Sequence, residues 1–376
     1  MTTPLPPTMR AIVRTSLTTR PTVESIPTPQ PTPGSAIVQV IHATIHANLA
    51  RTFDNEIPFF THPLPHIPGG RALGRIAATG PDATILQPGQ LVLVEPFIRA
   101  RDDPNVQILF GTMDGPNELS KKFTADNWRD GTLAEYVRAP LENCAVLDEK
   151  VLCGSLGYEL TDLVGLEGGF VAYGGLRSVG LSAGETVIVA PATGAFSGAA
   201  VDVAVAMGAN VVACGRNEVA LARLVEVHGA DRVRTVVLKG DVEVDHKAMV
   251  DAYGREADVF FDISPPQAEK STHVRSGFMS LRQYGRAVLM GVINADIAIP
   301  YSVAVWKNLT IRGQYMYERE DVNKLVKMAE SGVLKIGRKA GAVVAGQFKI
   351  EDFEEAIKCA FDHQAAGQMT LLTPGL

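Results

Sequence analysis

Cysteine is scarce in this chain. Cys144, Cys153, Cys214 and Cys359 are the whole set, and no two stand at C-x-x-C spacing. That argues against a disulfide framework and fits a reducing cytosol. A strong charge of either sign is also missing. The formal net charge is −6 over 376 residues, so no general basic field awaits a nucleic acid. Long apolar runs are absent too. The N-terminal MTTPLPPTMR has prolines where a signal peptide needs an apolar core. Residues 187–214 are nearly free of charge, but Pro191, Asp202, Gly194, Gly198 and Gly208 interrupt them. A strand followed by a helix explains that stretch better than a membrane span. The expected location is cytoplasmic, and the expected partner is a small molecule.

What is present divides in two. Hydrophobic residues make up 46% and charged residues 20%, and 376 residues suit two domains with ample core. The first third reads as short strands, MRAIVRT, SAIVQVIHATI, RALGRIAATG and GQLVLVEP, punctuated by PTPQPTPGS and TGPD. Residues 99–131 are polar without a clear period and read as a long surface excursion before TLAEYVRAP. From about residue 167 strands and helices alternate. ETVIVA, NVVACG, RTVVL, DVFFDI and RAVLMGVI read as strands. GAFSGAAVDVAVAMG, NEVALARLVEVHG and QAEKSTHVRSGFMSLRQYG read as helices. Such βα alternation predicts a parallel, doubly wound sheet. After NLTIRGQYMY come a helix in REDVNKLVKMAESG, a β-like segment, a helix in KIEDFEEAIKCAFDHQ and a last strand in MTLLTP.

PATGAFSG, residues 191–198, closes the first strand of the alternating part and opens its first helix. There a dinucleotide pyrophosphate meets free backbone N–H groups and the positive end of a helix. The G-x-G-x-x-G frame falls on Ala192, Thr193, Gly194, Ala195, Phe196 and Ser197, with Gly198 next. Only the middle glycine is in place; Ala192 and Ser197 are small substitutes. The second strand ends in Cys214-Gly215-Arg216-Asn217, without the Asp or Glu that binds the 2′-hydroxyl of NAD. Gly215 leaves room there, and Arg216 can hold a 2′-phosphate by charge-assisted bonds. The expected cofactor is NADP(H).

These segments together resemble the medium-chain dehydrogenase/reductase superfamily, which includes alcohol dehydrogenases, quinone reductases and enoyl reductases. The resemblance runs over nearly the whole chain, through GSAIVQVIHATIHANL, IPGGRALGRIAATG, DGTLAEYV, LSAGETVIVAPATG, MGANVVACGRN and GRAVLMGV. It implies an α/β fold in which a GroES-like β-rich catalytic domain is interrupted by a Rossmann domain. The implied boundaries are 1–165, 166–311 and a return to the catalytic domain in 312–376. It implies cofactor contacts at 192–197, at Gly215, Arg216 and Asn217, and at Gly291 in GRAVLMGV. A homodimer is expected.

The family's zinc ligands do not carry over. The first Cys position matches His46, the His-Glu pair of G-H-E falls on Gly70-Arg71, and the second Cys falls near Gly168. One possible ligand of three remains, and a catalytic zinc needs about three. A guanidinium at Arg71 would repel the ion. The four-cysteine structural site of some relatives would lie in 99–131, which has no cysteine. His42 and His46 sit four apart in a predicted strand, His62 and His66 lie in HPLPHIP, and His228, His246, His273 and His363 look like scattered surface residues. The expectation is a metal-free site.

Chemistry then falls on side chains. Zinc-free relatives commonly reduce a C=C bond conjugated to a carbonyl, where an enolate develops and needs donors. His46 and Asn48 occupy the family's active-site strand end. His46 could give a proton, and Asn48 could hold the substrate oxygen, or both could be structural. Phe53, Phe59 and Phe60 are either an apolar pocket wall or core. Tyr315 and Tyr317 are placed to line a cleft, and Glu159 reads as a helix-surface group. The expectation is an NADPH-dependent reductase of a small or medium apolar carbonyl compound, at C=C in slight preference to C=O. A silent nucleotide-binding protein is the rival of another class.

Overall fold

The computed structural model describes residues 4–57 and 61–376. They form two compact units: 1–164 with 343–364 and 368–376, and 165–342 with 365–367. The first division lies one residue from the expected boundary. The second lies later, because the helix Arg319–Glu330 packs on the helix Leu166–Ser178 of the second unit. Leu325 fills the space beside Gly169, and Arg177 pairs with the buried Asp321. Residues 312–342 therefore belong with the nucleotide-type sheet.

The first unit is built on a seven-stranded sheet. Its order is Val343–Phe348, Gln368–Leu372, Ser35–Thr44, Ala72–Thr79, Leu91–Val94 and Cys144–Val146, with Tyr136–Pro140 also pairing Ser35–Thr44. Pairing is antiparallel except between the first two. The long strand SAIVQVIHAT is buried over most of its length, so it is apolar on both faces rather than alternating. Residues 99–131 are more than a surface excursion. Phe97–Arg99 and Gln107–Leu109 form a hairpin, and Glu118–Asp126 is a helix capped by the Asn117 side chain. Ile108 and Phe110 from this region, with Ile98 just before it, sit in the main core. So few apolar anchors in a polar stretch give no periodic signal.

The second unit is the expected doubly wound sheet. Its six strands are Thr186–Val189, Asn210–Gly215, Val233–Val237, Ala257–Asp262, Leu281–Leu289 and Thr310–Gly313. Numbered in that sequence, their spatial order is 3-2-1-4-5-6, all parallel. The order reverses between the first and fourth strands, which opens a crevice at their C-terminal ends. Val187, Ile188 and Val189 are fully buried, as a central parallel strand requires. The helix expected over QAEKSTHVRSGFMSLRQYG is shorter, His273–Met279, and the strand starts at Leu281. Tyr284 at φ 60° breaks any helix there.

Candidate functional site

At the end of the first parallel strand the backbone turns sharply. The Ala192 N–H donates to the Cys214 carbonyl at 2.7 Å, tying the loop to the neighbouring strand, and Ala192 is fully buried. Thr193 then lies over Gly215: a Cβ added at 215 would stand 3.0 Å from Thr193 Cγ2. Gly194 opens the helix Ala195–Ala206. A Cβ at 194 would meet only Ser197 Oγ, at 3.3 Å, and otherwise open space. Ser197 Oγ accepts from the Gly194 N–H at 3.0 Å, so this hydroxyl fixes the loop. Gly198 has the packing role, since its Cβ would be 2.6 Å from Ala366 Cβ. The loop and helix start thus keep an uncrowded cradle for an anion over Gly194, Ala195 and Phe196.

The second strand's end carries Gly215, buried, and Arg216, exposed. Asn217 is a helix cap: its side chain accepts from the Ala220 N–H at 3.0 Å, so its oxygen is engaged. Gly291 follows the fifth strand. A Cβ there would be 2.8 Å from both Ser264 N and Ser264 O. Around it the strand ends are held by Met290 N–H to Asp262 O (2.8 Å) and Val292 N–H to Ser264 O (2.9 Å). Buried Ser264, Asp262 and His273 bond to one another beneath it: Ser264 Oγ lies 2.8 Å from His273 Nε2. His273 is therefore no surface residue, and neither is His228, whose Nε2 meets Asp202 Oδ1 at 2.7 Å.

In the first unit, His46 follows the strand Ser35–Thr44 and precedes the short helix Leu49–Phe53. Its carbonyl accepts from the Leu49 N–H, and its Nδ1 accepts from the Asn48 N–H at 3.1 Å. Desolvation, helped by the Arg71 guanidinium, pushes its pKa down to about 4. A ring shifted this way is neutral near pH 7, and with Nδ1 accepting, its proton lies on Nε2. Asn48 begins the helix without a side-chain cap bond, so its amide is not consumed there.

The other candidates separate. Tyr317 is 2% exposed, its ring tilted against that of Phe170, and is core rather than cleft wall. Tyr315 is half-exposed, and desolvation raises its hydroxyl to about 12. Phe53 is core, with the Arg14 guanidinium 5.5 Å from its ring. Phe59 and Phe60 lie outside the described residues. Glu159 is exposed and starts the helix Leu160–Leu163.

Positions 70 and 168 have physical reasons to be glycine. A Cβ at Gly70 would be 2.4 Å from the Phe110 carbonyl oxygen. One at Gly168 would be 3.2 Å from Ala199 Cβ, on the facing helix. Among the described residues no group of three or more His, Cys, Asp or Glu could hold a metal ion, and no helix is long and apolar enough to cross a membrane.

The second unit thus carries a dinucleotide-type crevice, and a β-rich unit precedes it along the chain. Residues 32–149 match the alcohol dehydrogenase GroES-like domain, and residues 197–331 match the zinc-binding dehydrogenase family. An alcohol dehydrogenase of Rhizobium meliloti is 27% identical over 317 residues, 82% of this chain and 85% of that protein. Two solved structures share the fold. A short chain alcohol dehydrogenase from E. coli CFT073, complexed with NADH, has a TM-score of 0.76 at 18% identity, covering 98% of this chain and 100% of its own.

 A crotonyl-CoA carboxylase/reductase in complex with NADP has a TM-score of 0.76 at 13% identity, covering 98% of this chain and 95% of its own. The chain belongs to the medium-chain dehydrogenase/reductase superfamily, whose members are nicotinamide-dependent oxidoreductases.

Proposed function

We propose that this protein is a zinc-independent, NADP(H)-dependent reductase of a small or medium apolar carbonyl compound. The observation that carries the zinc-independent part is the backbone contact at Gly70. A ligating side chain there would collide with the Phe110 carbonyl, and Arg71 beside it adds a positive charge. The residues at the family's zinc positions therefore do not fit the metal, and no step is drawn through one.

The residues at the dinucleotide positions do fit their group. The loop 192–197 and the helix start would hold the pyrophosphate, Gly215 and Arg216 the adenosine ribose end, and the backbone around Gly291 the other end of the crevice. Bound there, a nicotinamide dinucleotide supplies a hydride. The chain's own task is then to meet the negative charge that grows on the substrate oxygen. His46, neutral and protonated on Nε2, donates to that oxygen; the Asn48 amide is the second donor. This suits reduction of a conjugated C=C, where an enolate forms. Reduction at C=O is the second reading, favoured by the alcohol dehydrogenase relatives.

The free thiols fit a cytoplasmic setting. A homodimer is supported by the outer edge of the parallel sheet. The edge strand Thr310–Gly313 is exposed throughout, and Tyr301 and Trp306 beside it are 81% and 80% exposed. An unprotected edge with large aromatics is suited to pairing with a second copy. The functional test is NADPH oxidation against a panel of enones, quinones and aldehydes. Turnover of enones above aldehydes supports the first reading; aldehydes above enones supports the second; no turnover with tight NADPH binding supports a silent nucleotide binder.

A further inference from the structure

Two cations leave adjacent strand ends of the parallel sheet. Gly215 pairs with Val237, and the Leu238 N–H donates to the Gly215 carbonyl at 2.8 Å. Arg216 and Lys239 follow those two bonded residues, one on each strand. Neighbouring strands run about 4.8 Å apart, well within the reach of both side chains. Both residues are exposed, and among the described residues neither side chain makes a hydrogen bond or ion pair.

The lysine's backbone is fixed from beneath. Asp245, 1% exposed on the helix Val242–Asp251, accepts from the Lys239 N–H at 2.7 Å and from the Gly240 N–H at 3.1 Å. A buried carboxylate with both oxygens on consecutive N–H groups sets where the lysine stem begins. The nearby Asp241 caps the same helix through the Glu243 and Val244 N–H groups, both at 3.0 Å.

We propose that Lys239 is a second cation for the phosphate on the adenosine 2′-oxygen, acting with Arg216. The inference rests on the NADP reading above. A phosphate monoester carries about −1.5 to −2 charges at neutral pH, more than one guanidinium balances. Arg216 supplies the planar fork and Lys239 a compact point charge.

The test is calorimetric titration of NADPH, NADH, 2′,5′-ADP and 5′-AMP into the full chain and its Lys239→Ala, Lys239→Arg and Arg216→Ala variants. Lys239→Ala should weaken NADPH and 2′,5′-ADP about tenfold or more, leave NADH and 5′-AMP unchanged, and be largely rescued by Lys239→Arg. If wild-type protein prefers NADPH and Arg216→Ala removes that preference while Lys239→Ala does not, the lysine has no part and only this inference falls. If wild-type protein binds NADH and NADPH equally, the cofactor reading falls and this inference with it.

Discussion

The Asn48 N–H donates to Nδ1 of His46 at 3.1 Å, which places the proton of the neutral ring on Nε2. The backbone of the helix start thereby chooses the tautomer that can donate outward. His46→Ala should lower kcat about 10²- to 10³-fold, the usual cost of losing an oxyanion donor. His46→Gln, which still offers an N–H, should recover much of the rate. Because the ring titrates at about 4, the rate should show no His46 step between about pH 5 and 8. Single-turnover NADPH oxidation across that range checks both; an unchanged rate in the alanine variant makes His46 structural.

Gly194→Val should abolish binding of both dinucleotides and keep the fold. A Cβ there meets only Ser197 Oγ within the protein, and the backbone at φ −92° accepts valine. The space it fills is where backbone must approach pyrophosphate. Calorimetry with NADPH and NADH beside a melting curve decides; unchanged affinity puts the phosphates elsewhere.

Acid should loosen the first unit through His66. Its ring lies 4.2 Å from that of His62 and is 5% exposed. Burial first, then His62, Arg14 and Arg129, push its pKa down to about 2. The unfolded chain titrates near 6.5, so between these values the unfolded state binds the extra proton. The stabilisation is full above about pH 6.5 and is lost as pH falls toward the folded value, by up to about 1.4 kcal/mol per pH unit. Urea midpoints at pH 7 and pH 5 should show the fall, and His66→Gln should make it shallower. An equal slope in that variant removes His66 from the acid response.

Trp306→Glu should shift a dimer toward monomer. Trp306 is 80% exposed beside the edge strand, and a carboxylate there would be desolvated in any edge-to-edge pair. Sedimentation at several concentrations reads the result; an unchanged dimer places the contact on another face.

Much of the second unit was legible because its strands are short apolar runs between helices with small residues at the turns. ETVIVA, NVVACG and DVFFDI all became central strands. The helix Val242–Asp251 was missed although Asp241 stood ready as its cap, since its few apolar residues form no clean stripe. The helix Tyr301–Trp306 was missed because it is short and exposed. Around the candidate site, the loop at Gly194 was readable from sequence. The low pKa of His46 was not, since it arises from burial first and then from Arg71, which spacing does not encode. The burial of His228 and His273 was hidden for the same reason: their partners Asp202 and Asp262 come from other elements.

The central claim is reduction without a metal, and zinc content measured alongside NADPH-dependent turnover tests it most directly. The account predicts no stoichiometric zinc in purified protein, and the same rate and melting temperature before and after chelator. About one zinc per chain, lost in step with activity and restored with it, would contradict the account.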